Sequence, residues 1–93
     1  MKPNHIEVQV ITTSGAFPAE GFDEVPINQP VKVQLVKAQR ELDIASTDGW
    51  VVVSGNREID PSKSYADNGL SGRVKIDWGP REGAGGKVVA RDA

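Results

Sequence analysis

From His5 to Thr12 apolar and polar residues alternate: Ile6, Val8 and Val10 on one parity, Glu7 and Gln9 on the other. A period of two with β-branched residues predicts a half-buried strand. Ile11, apolar on the polar parity, indicates that the second face is partly covered as well. Thr13 to Gly21 holds Ser14-Gly15, Pro18 and Gly21 and reads as loop. Phe22 to Ile27, with Phe22, Val25 and Ile27 apolar, predicts a second strand. The two strands make a hairpin over a loop of about nine residues, longer than most, and the pattern leaves its register open.

One stretch has helical spacing. Val31, Leu35, Ala38 and Leu42 fall on one helix face, with Lys32, Lys37, Arg40 and Glu41 elsewhere. Asn28 is a suitable N-cap, and Pro30 is tolerated in the first turn. Val31, Val33 and Leu35 also alternate as a strand would, but Val-Lys-Ala-Gln-Arg-Glu-Leu favours helix. The prediction is a helix from Pro30 to about Asp43.

After the turn Thr47-Asp48-Gly49, Trp50-Val51-Val52-Val53 reads as a central strand. Gly55-Asn56 reverses the chain into Arg57-Glu58-Ile59, a short edge strand. Ser62 to Ser71 is consistent with one helical turn ended by Gly69. The last strand, Gly72 to Trp78, sets Val74, Ile76 and Trp78 on one face and Arg73, Lys75 and Asp77 on the other. This order predicts an α+β fold: a mixed four- to five-stranded sheet with one main helix packed across it. The expected inner face is Ile6, Val8, Val10, Val25, Ile27, Val31, Leu35, Leu42, Val51, Val53, Ile59, Leu70, Val74, Ile76 and Trp78; the parity of Val51 and Val53 against Trp50 and Val52 is a choice the pattern does not force.

Composition narrows the function. At 93 residues the chain fits one small domain. Its net charge of -2 provides no footprint for nucleic acid or anionic membrane. The absence of cysteine excludes disulfides, thiolate metal sites and a cysteine nucleophile. No apolar run approaches a membrane span and no secretory leader opens the chain, so a cytoplasmic location is the expectation.

Chemistry-bearing patterns are sparse. Gly85-Gly86-Lys87 is not a phosphate loop, since Arg81 stands where the first Gly belongs and Val88 replaces Ser or Thr. His5 is the one histidine and reads as a solvated or partly packed side chain rather than a metal ligand. Glu20, Asp23 and Glu24 read as a solvated charged face. Asp67-Asn68-Gly69 is a fragment of a calcium loop with most ligand positions missing. Trp50 is either core or contact residue, with core preferred. No catalytic residue, metal site or cofactor emerges, and the chain is not expected to be an enzyme.

The block Val51-Val52-Val53-Ser54-Gly55-Asn56-Arg57-Glu58-Ile59-Asp60 looks like the apolar triplet, glycine turn and following hydrophobe of the ubiquitin family. Ser64-Tyr65-Ala66-Asp67-Asn68-Gly69-Leu70 resembles that family's turn with a buried tyrosine, Val74 to Trp78 its last strand, and Gly85-Gly86 its terminal pair. In order and spacing the chain resembles ubiquitin and its β-grasp relatives over nearly its whole length to Gly86. The resemblance implies a β-grasp body at 1–78, a Gly-rich arm at 79–86, and a precursor extension at 87–93 removed on processing.

It implies, further, a protein modifier. A processing protease would cut between Gly86 and Lys87; the Gly86 carboxylate, with Gly85 before it, would then be activated and joined to lysines of target proteins. The implied partners are an activating enzyme, a conjugating enzyme and a processing or deconjugating protease, with no nucleic acid and no membrane. Pro80, Arg81 and Glu82 depart from ubiquitin's basic tail, so a dedicated activating enzyme is expected. With seven residues after Gly86, the chain resembles bacterial operon-encoded ubiquitin-like proteins made as precursors. Family members also recruit partners through an apolar patch on the outer sheet face. By that likeness Val52 takes the patch's central position, with Arg73, Lys75 and Asp77 beside it. Asp77 replaces an apolar residue there, so ordinary ubiquitin receptors are expected to bind poorly. Two alternatives stay open: a sulfur carrier of the same fold, bearing a thiocarboxylate on Gly86, and a ubiquitin-like binding module that is never conjugated.

Overall fold

The computed structural model describes residues 4–80, which form one sheet and one helix. The strands are β1 (His5–Thr12), β2 (Gly15–Phe17), β3 (Asp23–Pro26), β4 (Trp50–Ser54), β5 (Arg57–Ile59) and β6 (Arg73–Pro80); the helix α1 spans Val31–Glu41. The order across the sheet is β2-β1-β6-β4-β5, with β3 also pairing β1. β1 and β6 run parallel at the centre, Val8 opposite Val74 and Val10 opposite Ile76; the other pairs are antiparallel. A parallel pair needs a long crossover. Here the whole chain between β1 and β6, helix included, serves as that connection.

The expected first hairpin is interrupted. β2 pairs Val10 with Phe17, whereas β3 pairs His5 with Pro26. Pro18 has no N–H for the ladder, so pairing stops there and resumes at Asp23 after a bulged segment. That segment is tied back where Gln9 Nε2 donates to the Pro18 carbonyl at 3.0 Å.

The helix begins later than the N-cap reading from Asn28. Gln29, preceding a proline, is disfavoured in helical conformation, and Pro30 is extended (φ -59°, ψ 139°). No side chain caps the first turn. Instead the Val31 N–H donates to the Lys63 carbonyl at 3.0 Å and the Lys32 N–H to the Pro61 carbonyl at 2.9 Å. A loop distant in sequence thus satisfies donors that a local cap would otherwise take. At the other end Asp43 sits at φ 57°, its N–H bonding the Arg40 carbonyl at 3.3 Å while the Ile44 N–H bonds that of Gln39 at 3.0 Å. This is a Schellman closure with aspartate where glycine is usual.

The core is Ile6, Val8, Val10, Val25, Val31, Leu35, Ala38, Val52, Ile59, Tyr65, Ile76 and Trp78, all buried. Ile27, Leu42, Leu70 and Val74 pack at its margin. Val51 and Val53 do not belong to it; the inner residue of that strand is Val52, 1% exposed. The reason is register. A two-residue Gly55-Asn56 turn sets Ser54 opposite Arg57 and therefore Val52 opposite Ile59; on the other flank Val52 faces Trp78. Directly opposed residues share a face, so the burial of Ile59 and Trp78 carries Val52 inward.

The segment between β5 and β6 forms the anticipated turn. The Asn68 N–H bonds the Ser64 carbonyl at 3.1 Å, and Gly69 closes the turn at φ +77°. Asn68 is its clip rather than an ion ligand. Its Nδ2 donates to the Asp60 and Ser64 carbonyls, both at 2.9 Å, while its Oδ1 accepts from the Asp60 N–H at 2.9 Å. Asp60 Oδ1 accepts from the Ser62 Oγ at 2.6 Å and from its N–H at 2.9 Å; these bonds hold its carboxyl below the usual range.

Candidate functional site

The predicted site residues direct attention to two regions: the end of β6, which precedes the tail in sequence, and the sheet face away from the helix. β6 continues to Pro80, two residues beyond the expected end, and pairs with β4 over that whole distance, Val51 opposite Gly79 and Trp50 opposite Pro80. Gly79 is buried. Trp50 and Trp78 meet edge-to-face, ring centroids 5.1 Å apart and planes at 84°. Such pairs add about 0.5–1.5 kcal/mol beyond area burial. The contact anchors the end of β6 against β4 and makes Trp50 a margin-of-core residue. Gly85, Gly86 and Lys87, the positions expected for conjugation and processing, lie outside the described residues.

The outer face follows from strand parity. Its row across the centre is Ile11, Asp77, Val53 and Glu58, successive neighbours by pairing. Val51 lies one step along β4, and Ile11, Val51 and Val53 are half-buried. The expected central residue, Val52, is therefore absent from this face, for the register reason above. Ile11, Val51 and Val53 carry its apolar character, with the Asp77 carboxylate among them. The signal for this lay in Gly55-Asn56: counting outward from a two-residue turn pairs residue 52 with the one hydrophobe of β5.

Arg73, Lys75 and Asp77 are exposed on that face as expected. They do not act alike. Arg73 Nε meets Glu7 Oε1 at 2.7 Å across the β1–β6 pair, and its guanidinium lies 4.9 Å from the Phe22 ring centroid. Arg73 is thereby committed to an intramolecular cluster at one end of the sheet. Lys75, opposite Gln9, carries no ion pair among the described residues. Phe22 and Glu7 were not singled out by sequence pattern, because only the β1–β6 register makes them neighbours of Arg73.

Beneath the sheet lies a polar cluster that pattern reading also missed. Gln34, fully buried on α1, donates from Nε2 to Asp23 Oδ2 at 2.8 Å. Tyr65 is fully buried, and its hydroxyl has no partner among the described residues. Burial pushes the phenol well above its ordinary value, and the Asp23 carboxylate adds to the effect. Asp23 is thus a core-edge acceptor rather than part of a solvated acidic face. Position 34 belongs to the helix face that holds Val31, Leu35 and Ala38, which marks its burial in advance. Among the described residues no group of three or more His, Asp or Glu side chains gathers to hold a metal. No described helix is long and apolar enough to cross a membrane.

The architecture is that of the ubiquitin-like β-grasp fold. A de novo protein designed on the basis of ubiquitin superposes with a TM-score of 0.65 at 16% identity, covering 86% of this chain and 93% of its own. A structure described as molecular mimicry of SUMO that promotes DNA repair superposes with a TM-score of 0.57 at 14% identity, covering 82% and 94%. No protein-family model and no curated protein sequence matches the chain. At such identities the likeness is one of fold.

Proposed function

We propose that the chain is a ubiquitin-like protein modifier, made as a precursor and processed after Gly86. The observation that carries this reading is the conjunction of a ubiquitin-like fold with a Gly-Gly pair whose second residue, Gly86, is the sixth after the last described strand. Six residues can span at most about 20–22 Å when extended, enough to bring a chain end into an enzyme while the body stays outside. Gly85 and Gly86 present no side chain to a narrow cleft.

In the proposed sequence the protease hydrolyses the Gly86–Lys87 amide and frees the Gly86 carboxylate. That carboxylate attacks the α-phosphate of ATP on an activating enzyme, forming an acyl adenylate and releasing pyrophosphate. An enzyme thiolate displaces AMP to form a thioester, and a target lysine amine displaces the thiol to form an isopeptide. The chain supplies the carboxylate and its partners supply the catalytic groups, so it is not itself an enzyme. The bacterial, operon-encoded setting and cytoplasmic location belong to the same proposal.

The test is incubation with ATP and the activating, conjugating and protease candidates encoded beside its gene, followed by intact-mass analysis. The full chain should lose residues 87–93. A chain stopped at Gly86 should form the thioester without protease, and Gly86→Ala should fold normally but transfer poorly. Equal conjugation of the uncut and shortened chains would refute the precursor step. No reaction of either would favour the non-conjugated binding module.

A further inference from the structure

The solvent face of α1 has a composition that neither the helix nor the core accounts for. Lys32, Val33, Val36, Lys37 and Arg40 are its exposed residues before Glu41. At 3.6 residues per turn they follow one another around roughly 140° of the helix as Lys32, Val36, Arg40, Val33, Lys37. Cation and valine alternate with no carboxylate between them. Val33 is 38% and Val36 51% exposed, the large hydrophobic residues left most open among those described.

These residues work against the element that bears them. Valine loses rotamer freedom in a helix and is a weak helix former where packing does not decide. Lys32 lies in the first turn, where the macrodipole favours anions, and no acidic residue offsets it. None of the three cations has an ion pair among the described residues, although the chain as a whole is acidic. Beside the last turn, Val36, Gln39, Arg40, Asp43 and Ile44 line a shallow, open depression, with Asp43 the one carboxylate in it.

We infer that this face of α1 docks an acidic segment of a partner protein, apolar side chains meeting Val33 and Val36 while carboxylates meet Lys32, Lys37 and Arg40. Charge complementarity selects this occupant. Three cations and two valines without Trp, Phe or Leu are too few to hold a helix on an anionic bilayer, and no aromatic side chain is present to stack a base. The surface lies on α1, apart from the outer sheet face, and the inference does not rest on conjugation.

The test uses the full chain, isotope-labelled, titrated with a synthetic amphipathic helix bearing Leu on two adjacent turns and Glu around them. Amide shifts should concentrate at residues 32–44 and leave β1, β4 and β6 unmoved. Val33→Ala/Val36→Ala should weaken binding about tenfold with an unchanged or higher Tm. Lys32→Glu/Lys37→Glu/Arg40→Glu, or 0.5 M salt on the order of a 4 Å Debye length, should weaken it at least about as much. A peptide with Lys in place of Glu should not bind. Shifts on the sheet face, or binding that survives both multiple variants, would overturn the inference. So would an α1 face engaged by phosphatidylserine vesicles but not by the acidic peptide, or one covered by a second copy of this chain in sedimentation.

Discussion

The inward placement of Val52 can be tested against its neighbour. Val52 is 1% exposed, between Ile59 and Trp78, whereas Val53 lies half-buried on the outer face between Asp77 and Glu58. Val52→Ala removes two carbons from the core at about 0.8 kcal/mol each. The cavity left behind adds about 24 cal/mol per Å³ to the extent that the strands and helix do not close on it. The expected loss is about 2–3 kcal/mol. Val53→Ala leaves no enclosed void and loses mainly β-propensity and part of a cross-strand contact, about 0.5–1 kcal/mol. For a domain of this size 1 kcal/mol corresponds to about 4–8 °C in Tm, so the two variants should separate clearly. Urea titrations with a common m-value would supply the free energies. If Val53→Ala cost as much as Val52→Ala, or more, the register derived from the Gly55-Asn56 turn would be wrong. The apolar patch on the outer face would then have to be redrawn around Val52.

Two further outcomes are expected. In the folded chain the Tyr65 phenol is raised above its unfolded value near about 10 by burial and the Asp23 carboxylate, so above that pH the unfolded chain releases a proton that the folded chain keeps. Stability should therefore be intact below about pH 10 and fall by about 1.4 kcal/mol per pH unit above it; Tyr65→Phe should remove that part of the slope in alkaline denaturation, and an unchanged slope would exclude Tyr65 as its source. Asp43→Gly should stabilise the fold by about 0.5–1 kcal/mol, since it relieves a left-handed non-glycine residue and removes an anion from the helix C-terminus. Asp43→Asn, which changes the charge but tolerates the same backbone, separates the two causes in thermal melts.

Much of the body was legible in the chain because its elements carry strong local periods. β6 alternates cleanly from Arg73 to Trp78 and β1 does so up to Val10, the helical face repeats at four, three and four residues, and Gly55-Asn56 announces a hairpin. Those signals suffice for one helix on a mixed sheet and for the exposure of Arg73, Lys75 and Asp77. Periodicity could not orient Trp50-Val51-Val52-Val53, where consecutive apolar residues contain no period; the count from the Gly55-Asn56 turn pairs Val52 with Ile59, and the burial of Ile59 and Trp78 on either flank carries it inward. Nor could pattern find the helix start, because its first donors are met by the Lys63 and Pro61 carbonyls, far along the chain from Val31 and Lys32. The Gln34–Asp23 bond, the burial of the Tyr65 hydroxyl and the Glu7–Arg73–Phe22 cluster likewise join residues that sequence keeps apart. A side chain's preference for water or core is a local property, readable one residue at a time. Its partner is set by register and by the packing of distant segments, and only the folded chain brings those together.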